Sequence, residues 1–142
     1  ETAGSAMVPL DDLVVLPADT TPARVEREVA VTGFSRFPIV DETGAIIGYL
    51  HLKDVLYADA AEREEPVTPW RIRRMGTVHA GDEVEDALRH MQRTGSHCAL
   101  VADDLGEVLG VLFLEDVLEE LVGEVRDSLQ RDDLARERDE DR

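Results

Sequence analysis

Two periodicities alternate along the chain. Val84, Ala87, Leu88 and Met91 fall at i, i+3, i+4 and i+7, one face of an α-helix. Asp82 ahead of them and Glu85 three residues on have the spacing of a capping box, and Gly95 follows as a stop. Cys98–Ala102 is short and apolar, as a buried strand is. Asp103-Asp104-Leu105-Gly106 is turn chemistry. Residues 107–114, rich in Val and Leu, predict a second strand. Residues 115–122 predict a helix with Val117, Leu118, Leu121 and Val122 inward and Gly123 closing it.

The same order occurs 62 residues earlier. Residues 16–56 align on 78–118 without a gap, and 12 of the 41 positions are identical, including Gly33/Gly95, Asp41/Asp103, Gly44/Gly106, Gly48/Gly110 and Asp54/Asp116. In the first copy Thr20 or Thr21 is the expected cap, with Pro22 in the first turn and Gly33 at the end. Strands are expected at 36–40 and 45–51, and a closing helix at 52–60. The predicted fold is therefore α/β (α+β), two tandem βαββα repeats related by pseudo-twofold symmetry. The divisions are a leading segment 1–12, repeat 1 at 13–60, a linker 61–75, repeat 2 at 76–125 and a charged tail 126–142, read as a solvated helix extension or a disordered tail. One copy of this size buries little apolar surface alone, so the two are expected to share a core, with a ligand cleft between them.

Charge narrows the function. Fifteen Lys and Arg stand against 32 Asp and Glu, a net charge of −17, and aromatics make up 4%. Nucleic-acid binding, which needs a basic surface, is excluded on that balance. The single cysteine, Cys98, leaves no internal disulfide, and within its apolar run it reads as a buried structural thiol. No run of 18 apolar residues occurs, and no P-loop or Ser-His-Asp arrangement is visible, so an enzyme is not expected. The histidines His79, His90 and His97 have no metal-ligand spacing. Glu115, Asp116, Glu119 and Glu120 are read as a solvated acidic face. The chain opens on Glu1 rather than Met, as a segment of a longer protein would.

Both copies end in Gly-h-h-x-Leu-x-Asp-Val-Leu: Gly48-Tyr-Leu-His-Leu-Lys-Asp54 and Gly110-Val-Leu-Phe-Leu-Glu-Asp116. With Met7-Val-Pro-Leu-Asp-Asp12, Ser35-Arg-Phe-Pro-Ile-Val40 and Leu114-Glu-Asp-Val-Leu-Glu-Glu-Leu-Val-Gly-Glu124, the chain resembles a tandem CBS-domain pair (a Bateman module). Over residues 7–125 it resembles that of the CorC/CNNM/hemolysin-C-like membrane proteins. The resemblance implies a non-catalytic cytoplasmic domain attached to a transmembrane domain of Mg²⁺ or Co²⁺ efflux type. It also implies ATP or another adenine nucleotide as ligand, with Mg²⁺, and a homodimer formed through the CBS helices, Val55, Leu56, Leu118 and Leu121 included. The alternative reading is a ligand-free dimerisation module.

The resemblance places Val8, Phe34, Arg36, Pro38, His51, Asp54, Phe113 and Asp116 at the nucleotide. Asp54 and Asp116 match the family carboxylate that accepts from ribose hydroxyls, and each equally suits a plain helix N-terminus. Arg36 offers a guanidinium fork for phosphate, or a surface ion pair. Phe34 can cover a base or close the edge of a core. Val8 lies on the segment matching the cleft wall. Nucleotide-binding copies carry Thr or Ser three residues before the Asp; here His51 and Phe113 occupy those places. His51 retains a donor nitrogen, whereas Phe113 has no hydrogen-bonding group at all.

Overall fold

The computed structural model describes residues 1–140, with side chains through Leu134. In chain order the elements are α1 (Ala3–Ala6), β1 (Val8–Pro9), β2 (Leu16–Pro17), α2 (Pro22–Thr32), β3 (Arg36–Val40), β4 (Ile46–His51), β5 (Gly76–His79), α3 (Val84–Thr94), β6 (Cys98–Ala102), β7 (Val108–Phe113) and α4 (Leu114–Glu140). Short 3₁₀ turns lie at Leu10–Asp12, Leu52–Val55, Glu62–Glu64 and Pro69–Arg71. The chain forms two compact units: Pro9–Gly76, and Glu1–Val8 together with Thr77 onward.

The duplication holds at the level of the backbone. In one unit β3 runs antiparallel to β4 with Arg36 opposite His51; in the other β6 runs antiparallel to β7 with Cys98 opposite Phe113. Both pairs shift register at equivalent places, Ile39/Val40 and Val101/Ala102. Gly33 and Gly95 close α2 and α3 in the left-handed conformation, at φ 75° and 67°. Asp41 and Asp103 close the intervening turns by accepting backbone N–H groups, from Thr43 and Ala45 in one and from Leu105 and Glu107 in the other.

Each unit buries its own core. Leu16, Val25, Phe37, Ile39, Leu50, Val55 and Val67 fill the first. Ala3, Val78, Val84, Ala87, Met91, Ala99, Val101, Leu112 and Val117 fill the second. Each large side chain removed from water contributes about 1.5–3 kcal/mol. Val55 is fully buried and Leu121 packs against the second core, so of the four expected dimer residues only Leu56 and Leu118 are exposed.

Three local expectations need correcting. The helix expected at 52–60 is a single 3₁₀ turn, Leu52–Val55. Downstream, the Asp59 carboxylate accepts from the N–H groups of Ala61 and Glu62 and starts a new turn, which competes with helix continuation. The second closing helix does not stop at Gly123 but runs to Glu140, so the charged tail is a helix extension as far as it is described. Asp82 does not cap α3: its carboxylate accepts from the His79 N–H, while the Val84 N–H is taken by the Glu1 carbonyl. Thr21, in contrast, caps α2 as expected, with Pro22 in the first turn.

The segments that precede each repeat are held by the sheets. β1 adds to the edge of β7, giving the order β1-β7-β6-β5. In the other unit, β2-β3-β4 gains a bridge at its far edge, where Tyr49 and Arg73 exchange both backbone hydrogen bonds at 3.0 and 2.9 Å. The linker thus packs against repeat 1, and its Val67 is a core residue. The repeat glycines allow both contacts. A Cβ on Gly48 would lie 2.3 Å from the Arg73 carbonyl oxygen, and one on Gly110 would lie 2.3 Å from that of Val8.

Gly48→Ala and Gly110→Ala should each cost about 1–3 kcal/mol, because the added methyl meets backbone that must move. A Cβ at Gly123 meets nothing within 4 Å. In mid-helix, Gly123→Ala should instead add up to about 1 kcal/mol. Urea unfolding of the three variants checks both signs, and loss of stability in Gly123→Ala would show that α4 is not helical there.

Candidate functional site

Residues of repeat 1 converge at the start of β3 and the end of β4. Antiparallel pairing puts Arg36 opposite His51 and Pro38 opposite Tyr49, so these four share one face. Arg36 and His51 are half-buried, and Pro38 and Tyr49 are buried. The next turn folds back on this face. The His51 Nδ1 accepts from the Lys53 N–H at 2.9 Å, and Asp54 Oδ2 accepts from the His51 N–H at 2.9 Å. The two form a reciprocal capping box, with histidine in place of the usual hydroxyl residue.

Asp54 also holds a fork–fork ion pair. The Arg73 Nη2 donates to Oδ1 at 2.7 Å and Nε donates to Oδ2 at 2.9 Å. The Asp54 side chain is 12% exposed and that of Arg73 47%. Burial pushes the Asp54 pKa up, but hydrogen bonds from Arg73 and the His51 N–H, with the Arg73 charge, outweigh it and leave it below the ordinary value. The His51 pKa is lowered, first by burial and then by the Arg36 charge, with Asp54 opposing and Lys53 and Arg73 adding to the depression. Since Nδ1 is an acceptor, neutral His51 carries its proton on Nε2, the one nitrogen left to donate.

Arg73 is the residue that sequence reasoning missed. It stands in the linker, outside the repeat alignment, and the only signal was the basic pair Arg73-Arg74 in an acidic chain. Its position follows from the backbone crossing over Gly48.

The matching residues of repeat 2 have different surroundings. Phe113 is half-buried opposite the buried Cys98, so the place of the Arg36–His51 pair is taken by two apolar groups. Asp116, in the first turn of α4, has no hydrogen-bond or ion-pair partner among the described residues. Desolvation, then Glu119 and Glu115, push its pKa up. Val8 lies in this unit with its carbonyl over Gly110. Phe34 is 56% exposed and follows the left-handed Gly33, so it closes no core. The carboxylates of Glu1, Glu120 and Glu124 lie within 4.8 Å of one another on the surface. Among the described residues no helix is long and apolar enough to cross a membrane.

If the low Asp54 pKa arises from Arg73, then Arg73→Gln should raise it in an NMR titration. A depressed carboxylate stabilises the fold above its unfolded pKa, near 3.8–3.9, and that stability is lost as pH falls through the folded value. The wild type should therefore lose more stability than Arg73→Gln between pH 5 and the acid limit. His51 acts at higher pH with the same sign. The unfolded chain takes up its proton first, near pH 6.5, so stability falls below that pH until the folded His51 also protonates. His51→Gln should flatten that step, and an unchanged slope would remove His51 as its source.

Known proteins resemble the chain in sequence and in fold. The CBS domain family matches residues 4–61 and 67–123. A Mycobacterium tuberculosis protein of unassigned function is 45% identical over 108 residues, 75% of this chain and 31% of that protein. The magnesium and cobalt efflux protein CorC of Pasteurella multocida is 30% identical over 129 residues, 90% of this chain and 43% of CorC. The solved structure of the CBS domain of a bacterial CNNM/CorC family Mg²⁺ transporter in complex with ATP superposes with a TM-score of 0.76 at 25% identity. That match covers 86% of this chain and 87% of the other. The chain spans less than half the length of these curated relatives. Two family matches in tandem, on two units with the same strand register and turns, establish that the chain belongs to the CBS-domain family, as a CBS pair of the CorC/CNNM kind.

Proposed function

We propose that the chain is the regulatory CBS pair of a membrane-attached CorC/CNNM-type transport protein, cytoplasmic, and that it senses an adenine nucleotide carried with Mg²⁺. The observation that carries this reading is the concentration of cations about His51. Arg36, Lys53 and Arg73 all act on that ring, with Asp54 the one anion among them, in a chain of net charge −17. A local positive group in an otherwise acidic protein suits phosphate oxygens. Arg36 offers a guanidinium fork, Lys53 a point charge, and the His51 Nε2–H a further donor. Mg²⁺ would neutralise the part of the triphosphate charge that these groups leave. In repeat 2, the carboxylate of Asp116, which has no hydrogen-bond or ion-pair partner among the described residues, suits ribose hydroxyls. A structural relative was solved in complex with ATP, which supports the ligand class. Regulation would follow from differential affinity: a nucleotide that binds one arrangement of the module better shifts the attached domain toward it. We also propose that the module acts as a homodimer.

A second reading has its own observations. Asp54 and the His51 Nδ1 are both engaged within their own turn, and Phe113 stands where a hydroxyl is needed. On that reading the chain is a ligand-free dimerisation module.

Calorimetry and thermal melting with ATP, ADP and AMP, with and without Mg²⁺, separate the two. Weak Mg²⁺-dependent ATP binding is expected. A ligand at 100 times its Kd adds about 2.7 kcal/mol of apparent stability. Phe113→Thr restores one hydrogen bond and should tighten binding several-fold, in line with about 0.5–1.5 kcal/mol per bond. Arg36→Ala and Lys53→Ala should weaken it. No heat and no shift at millimolar nucleotide, in the wild type and in Phe113→Thr, would leave the dimerisation module standing.

A further inference from the structure

The two glycine crossings are equivalent residue by residue. A Cβ on Gly48 would meet the Arg73 carbonyl oxygen at 2.3 Å and Ile72 Cγ2 at 2.8 Å. A Cβ on Gly110 would meet the Val8 carbonyl oxygen at 2.3 Å and Met7 Sδ at 2.9 Å. Arg73 and Val8 therefore hold the same place over their strands. The repeat carboxylate stands six residues after the glycine in both copies, Asp54 in one and Asp116 in the other. What the crossing delivers to that carboxylate differs. Arg73 brings a guanidinium, on a backbone pinned to Tyr49 at both its N–H and its C=O. Its fork engages both oxygens of Asp54, and the His51 N–H adds a second bond on Oδ2. Val8 brings a side chain with no donor, and Asp116 is exposed, with no hydrogen-bond or ion-pair partner among the described residues.

We propose that the residue at the glycine crossing decides which carboxylate reads a ribose: Arg73 closes Asp54 to sugar hydroxyls, and Val8 leaves Asp116 open to them. The inference rests on the nucleotide reading above and assigns the sugar to one repeat. A ribose presents two neighbouring hydroxyls, and a carboxylate holds both by accepting one on each oxygen. At Asp54 each oxygen already accepts from a charged donor, a stronger bond than a neutral hydroxyl makes, so the sugar would have to displace an ion pair. At Asp116 nothing has to be displaced. Desolvation and the charges of Glu119 and Glu115 disfavour its ionised form, which therefore gains from any donor that arrives. Arg73 is thus a positioning residue: it acts on the ligand through Asp54.

Mg²⁺-ATP and Mg²⁺-2′,3′-dideoxy-ATP, titrated in parallel by calorimetry, isolate the sugar hydroxyls. The wild type should prefer the ribose form by about tenfold or more, the worth of one hydrogen bond to a charged group. In carbon-detected NMR the Asp116 carboxyl signal should move with Mg²⁺-ATP and not with the dideoxy form, while that of Asp54 stays fixed. Val8→Arg should erase the preference, because the new guanidinium pairs with Asp116, whereas its attraction for the triphosphate acts on both nucleotides alike. It should also lower the Asp116 pKa, a change that a packing defect alone would not make. Arg73→Val should release Asp54, whose carboxyl signal then responds to Mg²⁺-ATP, with the amide spectrum confirming that the fold persists. No binding of either nucleotide, in the wild type and in Phe113→Thr, overturns the nucleotide reading and this inference with it. Binding without a ribose preference, a preference that survives Val8→Arg, an Asp54 signal that moves in the wild type, or one that stays silent in Arg73→Val overturns this inference alone.

Discussion

The architecture depends on one steric condition met twice. A backbone segment from outside the strand pair lies directly across the third residue of β4 and of β7, and only a residue without a Cβ leaves room for it. At Gly110 the crossing segment is Met7–Val8, which completes a sheet edge. At Gly48 it is Ile72–Arg73, which pairs with Tyr49 and delivers a guanidinium to Asp54. The glycines are therefore requirements of the sheet edge, and the ion pair is a consequence of the crossing. Edge cover of this kind also removes unpaired N–H and C=O groups from solvent, where they would template aggregation.

Duplication with divergence explains why two equivalent carboxylates behave in opposite ways. Asp54 and Asp116 occupy the same place in the repeat, three residues after the end of the strand-pair face. Asp54 receives Arg73 and a backbone N–H and is held ionised. Asp116 receives neither and has two glutamates as neighbours, so its charge is disfavoured. The facing pairs diverge in the same sense, Arg36 with His51 in one copy and Cys98 with Phe113 in the other. In the first copy the facing pair is polar and the carboxylate is paired, while in the second the facing pair is apolar and Asp116 has no hydrogen-bond or ion-pair partner among the described residues. The same backbone motif thus carries two chemically different sets of side chains at equivalent places.

The overall charge acts as a background against which local exceptions stand out. A net charge of −17 repels phosphates at a distance and repels a second copy. On the nucleotide reading proposed above, recognition rests on a short-range feature, the cations around His51. They work within a Debye length, where geometry outweighs the mean field.

The amino-acid sequence by itself determined the repeat, its strand–helix order, the left-handed helix stops and the Asp-centred turns, because each depends on residues a few positions apart. Most of the positions that resemble the nucleotide-binding residues were legible for the same reason, since they lie within the duplicated motif. Only the tertiary structure decided the rest. The Glu1 carbonyl, not Asp82, satisfies the start of α3, because a segment 83 residues away reaches it first. Val55 and Leu121 turn inward while Leu118 and Val122 do not, since an apolar period says which residues share a face but not which row meets the core. Arg73 joins Asp54 across 19 residues of chain because its own backbone crosses over Gly48, and no local pattern encodes a contact set by such a crossing.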